Sequence, residues 1–130
     1  MRAAVLDASA LLALLRGEPG WERVRSVLAD SAMSTVNLGE VVGHYARNGA
    51  SEAEIRLMLD PLPIDWISFD AEIAYAAGML LPQARSAGLS LGDRACLSLA
   101  ARLQVPALTA DRSWASVSET LGVEIELLRG

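Results

Sequence analysis

Residues 3–12 read Ala3-Ala4-Val5-Leu6-Asp7-Ala8-Ser9-Ala10-Leu11-Leu12. The apolar run Ala3–Leu6 is too short for a buried helix and reads as a buried strand, closed by the charge of Asp7. Ala8–Arg16 then places Leu11, Leu12 and Leu15 on one side of a helix, which Gly17 and Pro19 break. A buried strand, an acid at its exit and a helix directly after it form the first half of a βαβ unit.

The same alternation continues outward. Trp21–Leu28 resumes helical spacing, and Ala32–Thr35 reads as a second strand. Asn37–Arg47 is predicted helical through Leu38, Val41, Val42 and Tyr45, with Asn37 as its cap and Asn48-Gly49 as its stop. Ser51 and Glu54 form a capping-box pattern for a helix that runs to Asp60. Ile64–Phe69 reads as a strand, and Asp70–Ala87 as one long helix kinked at Pro82. Ser90–Leu103 is another helix. Val105–Thr109 and Val123–Leu128 are strands flanking a helix near Trp114–Leu121. Five strands alternating with helices predict an α/β fold with a mostly parallel sheet covered on both faces. No repeat or linker divides the 130 residues, so residues 1–130 are expected to form a single domain.

Composition narrows the chemistry. The chain carries 16 Asp plus Glu against 11 Lys plus Arg, a formal net charge of −5, and all 11 basic residues are Arg. Without lysine, a Walker-type phosphate loop, Schiff-base catalysis and a lysine general base are excluded. A phosphoacceptor receiver domain needs a lysine after its last strand, and a haloacid-dehalogenase-type phosphatase needs Asp-x-Asp where this chain has Asp7 and Ser9. The single Cys96 excludes an internal disulfide and fits a reducing compartment. No signal peptide or membrane-length apolar run is expected, which points to the cytoplasm.

Polar groups at the carboxyl ends of parallel strands lie where such sheets bind ligands. Asp7 closes the first strand and Asp111 follows the fourth. Glu40 and Asp93 fall in the first turns of predicted helices. Taken singly, each is placed to be a helix cap. Taken together, four carboxylates at one mouth repel unless a cation joins them. Hard oxygens suit Mg²⁺ or Mn²⁺, whereas one His and one Cys do not make a zinc site.

Four segments carry a resemblance that spans essentially the whole chain. Val5-Leu6-Asp7-Ala8-Ser9, Asn37-Leu38-Gly39-Glu40-Val41, Leu91-Gly92-Asp93-Arg94-Ala95 and Leu108-Thr109-Ala110-Asp111-Arg112 resemble, in order and spacing, the motifs of PIN-domain ribonucleases of the VapC toxin type. The resemblance implies a PIN-like three-layer α/β/α fold and a Mg²⁺-dependent endoribonuclease, with Mn²⁺ as a substitute. It further implies an RNA substrate, a VapB-type antitoxin as partner, and a homodimer. Asp7, Glu40, Asp93 and Asp111 would hold the metal and its nucleophilic water. A catalytically inactive PIN-fold binding module and a non-toxin RNA-processing nuclease are the alternatives.

Supporting residues follow from their positions. Ser9 would hydrogen-bond Asp7 or a phosphate, and Thr109 precedes the fourth acid. Arg94 and Arg112 each follow a site acid, placed either to grip RNA phosphate or to pair with a neighbouring carboxylate. His44, one turn beyond Glu40, is expected to have no direct role, since metal-bound water needs no histidine base. Cys96 reads as a buried small hydrophobe, and Trp21, Trp66 and Trp114 as packing residues. The Leu-rich first helix and the Trp21 segment form either ordinary core or a groove for an antitoxin helix. Two Mg²⁺ would bring the net charge from −5 to about −1, so RNA would be held by metal and arginine.

Overall fold

In the computed structural model, which describes residues 2–84 and 87–129, the apolar runs become five short strands. They are β1 (Ala4–Leu6), β2 (Ser31–Ser34), β3 (Asp65–Ile67), β4 (Ala107–Thr109) and β5 (Ile125–Leu127). All four pairings are parallel, in the order β3-β2-β1-β4-β5. The helices are α1 (Ala8–Arg16), α2 (Trp21–Val27), α3 (Thr35–Arg47), α4 (Glu52–Leu59), α5 (Ala71–Met79), α6 (Leu81–Ala84), α7 (Leu91–Leu103) and α8 (Ser118–Leu121). No helix is long and apolar enough to cross a membrane among the described residues.

Each buried strand feeds two cores, because successive side chains leave opposite faces of a sheet. Ala4, Leu6, Met33 and Leu108 join Leu11, Val24, Val41, Ile55 and Leu59 from α1 to α4 on one face. Val5, Ala32 and Ala107 join Ile73, Cys96, Leu97 and Leu99 from α5 and α7, with Trp114, on the other. The three-layer α/β/α arrangement follows, and the sheet expected to be mostly parallel is wholly parallel.

The strand order locates the mouth. From β1 the chain builds outward to β2 and β3, then crosses to β4 and β5 on the other side of β1. Connections leave β1 and β4 on opposite faces, so their carboxyl ends flank a crevice, the usual ligand position in such sheets.

Three predicted elements are corrected. Asn37 is not a cap: α3 starts two residues earlier, and Ser34 caps it through a hydrogen bond from Val36 N. The long helix predicted over Asp70–Ala87 is two, α5 and α6, joined at Leu80. Pro82 lacks an N–H, and its ring would strike the carbonyl four residues back, which turns the expected kink into a break. The end of that prediction, at Arg85 and Ser86, lies outside the described residues. The Trp114 segment is mostly 3-10 turn, Arg112–Val117, before α8.

Candidate functional site

Asp7 leaves β1 at the crevice and caps α1, its Oδ1 accepting from Ala10 N at 2.9 Å. Ser9 Oγ donates to the same oxygen at 2.7 Å. Thr109 Oγ1, at the end of β4, donates to Oδ2 at 2.6 Å. The carboxylate is thus gripped across the β1–β4 crevice, and it is 6% exposed. The two hydroxyls also reach onward: Ser9 Oγ accepts from Ala110 N at 2.9 Å and Thr109 Oγ1 from Asp111 N at 3.0 Å. One network therefore fixes Asp7 and the backbone leading to Asp111.

Burial pushes the Asp7 carboxyl up from 3.8 to about 6. The bonds from Thr109, Ser9 and Ala10 pull it down, and the Asp93 charge adds to the rise. Desolvation wins because a carboxylate loses far more hydration on burial than three donors return. Beneath the mouth lies Cys96, fully buried. Its thiol is pushed well above the ordinary range, first by burial and then by the charges of Asp7, Asp93 and Glu40. The charges of these three acids, which follow β1 and lie on α7 and α3, are all felt at the floor of the site.

Asp93 forms the capping box of α7. Its Oδ2 accepts from Ser90 N at 2.9 Å, while Ser90 Oγ accepts from Asp93 N at 3.2 Å. The cap and the site position coincide in this residue. Glu40 stands on the exposed side of α3, its Oε1 accepting from Asn37 Nδ2 at 2.8 Å. Asp111 is exposed and caps the following 3-10 turn, its Oδ1 accepting from Ser113 N and Oγ.

The structure does not gather the four acids into one closed cage. No group of three His, Cys, Asp or Glu lies close enough to hold a metal ion among the described residues. The donor chemistry nonetheless suits a hard cation. Every candidate ligand is a carboxylate oxygen, and the buried Asp7 carries a charge that its surroundings disfavour.

Other sequence readings divide. Arg94 neither reaches into the mouth nor pairs with a carboxylate. Its Nη1 donates to the Ala77 carbonyl at 3.0 Å, tying α7 to the last turn of α5, and its Nε is buried with no partner. Arg112 is exposed, and no hydrogen bond or ion pair engages it among the described residues. His44 Nε2 lies 3.4 Å from Arg16 Nη1 and its ring meets Tyr45 edge-on. Trp114 is fully buried, whereas Trp21 and Trp66 are half-buried. Leu11 and its neighbours on α1 pack into the first core. An apolar groove of about 570 Å³ lies elsewhere, between α3 and α4, lined by Leu38, Val42, Ile55, Leu59 and Trp66. Sequence reading missed the part played by Asn37, which is 1% exposed and donates to both Glu40 and the Gly92 carbonyl. Its spacing three residues before Glu40 was visible but fits a cap equally well.

A family model described as the PIN domain matches residues 4–119. No curated protein matches the chain by sequence. Among solved structures, the chain is similar to DNA-bound VapBC from Salmonella typhimurium, at 16% identity and a TM-score of 0.77 over 99% of this chain and 100% of that one. It is similar to a toxin–antitoxin complex from Klebsiella pneumoniae, at 19% and 0.73 over 98% of each chain. It is also similar to VapBC-5 from Mycobacterium tuberculosis, at 20% and 0.64 over 98% and 99%. At these identities the similarity establishes the fold.

Proposed function

The chain belongs to the PIN-domain family, and from that premise we propose that it is a metal-dependent endoribonuclease acting as the toxin of a toxin–antitoxin pair. One observation carries the reading: a buried Asp7 carboxylate is clamped by Ser9 and Thr109 at the β1–β4 crevice, with the Asp93 charge acting on it. A helix cap alone does not call for a carboxylate buried under two hydroxyl clamps with the Asp93 charge acting on it.

Asp7, Glu40 and Asp93 would hold Mg²⁺ or Mn²⁺, with Asp111 beside them. A divalent ion there supplies charge neutralisation and polarises water against a phosphodiester. The chain's own residues do the rest. Ser9 and Thr109 spend their protons on Asp7 and so keep both its oxygens oriented. Burial makes an unpaired Asp7 anion costly and a cation beside it correspondingly favourable. Arg112, exposed one residue beyond Asp111, would meet a backbone phosphate bidentately. No lysine shares that task. A VapB-type antitoxin and a second copy of the chain are the protein partners this reading implies, and the cytoplasm is the compartment.

The absence of a closed three-acid group among the described residues favours the second reading, a PIN fold that binds without cutting. Incubation of the purified protein with total RNA separates the two. Cleavage is expected with Mg²⁺ or Mn²⁺, abolished by EDTA and by Asp7→Ala. Equal cleavage by wild type and Asp7→Ala would end the nuclease assignment, and absence of cleavage with RNA still bound would select the binding module.

A further inference from the structure

Asn37 sits at the mouth, fully enclosed, yet has no place in the chemistry above. Its Nδ2 donates to Glu40 Oε1 at 2.8 Å and to the Gly92 carbonyl at 3.1 Å. Both partners only accept, so the amide orientation is fixed. Reversed, it would set Oδ1 against two oxygens. Its Oδ1 is buried with no partner. A core position would favour an apolar residue over one that strands an acceptor. The amide is therefore held for its two donated bonds, one orienting Glu40 within α3 and the other joining α3 to α7 across 55 residues of chain.

Gly92 is the opposing jaw. A Cβ built there would lie 2.2 Å from Glu40 Oε2 and 2.5 Å from its Cδ. Both distances are far inside contact. Only glycine allows the Glu40 carboxylate to lie against the first turn of α7, one residue from Asp93. An exposed glutamate otherwise spreads over many rotamers. Here a charge-assisted hydrogen bond holds it from one side and a missing side chain admits it from the other.

We infer that Asn37 and Gly92 form a clamp that fixes the Glu40 carboxylate beside Asp93, making both positioning residues for the cation. The inference rests on the reading that Glu40 and Asp93 hold a divalent ion. Through the clamp, the separation of α3 and α7 sets the spacing of two ligands that the chain places 53 residues apart.

Calorimetric titration of Mn²⁺ into the metal-free protein tests this, using wild type, Asn37→Ala, Gly92→Ala, Glu40→Ala and the two doubles that combine a clamp change with Glu40→Ala. Each clamp variant is expected to weaken Mn²⁺ binding at least tenfold. Neither is expected to weaken it further once Glu40 is absent, because the clamp acts only through that carboxylate. In RNA cleavage, kcat should fall while KM stays within twofold. Additive losses in the doubles, or clamp variants that bind Mn²⁺ as wild type does, would overturn the clamp and leave the nuclease reading standing. A wild type that binds no Mn²⁺ would instead remove the parent reading and the clamp with it. Should Asn37→Ala fail to fold, Gly92→Ala carries the measurement, since its clash is with the mobile end of a side chain rather than with backbone.

Discussion

Replacing Asp7 by Asn removes a buried charge while keeping the shape of the side chain. The wild-type carboxyl stands at about 6 against an ordinary 3.8. Each tenfold change in proton affinity corresponds to about 1.4 kcal/mol, so the charged form costs the folded, metal-free protein about 3 kcal/mol at pH 7.5. The sign follows from where the proton prefers to be. The folded state holds it more tightly, so stability from this group is full below 3.8 and is lost as the pH rises through 6. At pH 4 the penalty falls below about 1 kcal/mol. The substituted amide can retain the network: its carbonyl keeps the Ser9 and Ala10 bonds, and its nitrogen donates to Thr109 Oγ1, whose proton turns to Ser9 Oγ at 3.3 Å. Urea denaturation in EDTA should therefore find Asp7→Asn more stable than wild type by about 1–3 kcal/mol at pH 7.5, a gain that shrinks toward zero at pH 4. Added Mn²⁺ should stabilise wild type and leave the variant unmoved. A variant less stable than wild type at pH 7.5, or a difference independent of pH, would refute the argument that burial dominates the Asp7 environment.

Arg112→Ala should raise KM for RNA about three- to tenfold, leave kcat within twofold and reduce the slope of log affinity against log salt by about 1, measured by cleavage kinetics at several salt concentrations. Arg94→Ala should leave RNA cleavage unchanged and lower stability by about 1 kcal/mol, because it frees the Ala77 carbonyl but also relieves the unpartnered Nε; urea denaturation checks it. Leu108→Ala, in the middle of the sheet and fully buried, should cost about 2–5 kcal/mol, read as a fall in denaturation midpoint at constant m-value.

At the mouth of this sheet, capping and the proposed catalytic role fall on the same side chains. Asp7 and Asp111 each cap the element that follows, and Asp93 closes the capping box at the start of α7, with their backbone partners in place. The same carboxylates keep oxygens for another use. Helix N-termini favour anions, so the fold stabilises through local capping part of the charge that the site concentrates. The Asp7 network then spans β1 and β4, the two strands at which the chain order reverses.

Much of this was legible in one dimension. Short apolar runs closed by acids and alternating with helical spacing specify parallel strands, because only a sheet covered on both faces buries runs such as Ala4–Leu6 completely. The capping box at Ser51 is local, four residues long, and formed where the spacing placed it. What the sequence left open depended on contacts between distant segments. Asn37 reads as a cap along the chain, and only the approach of α7 turns it into the donor shared by Glu40 and Gly92. Arg94 follows a site acid by one residue, but helical geometry rotates it about 100° away from its neighbour, so it ends on α5 instead of in the mouth. Spacing determines which residue types are available at the strand exits. Packing of α3 and α7 against the sheet decides which of them meet, because a hydrogen bond reaches about 3 Å and no local pattern records what lies across a crevice.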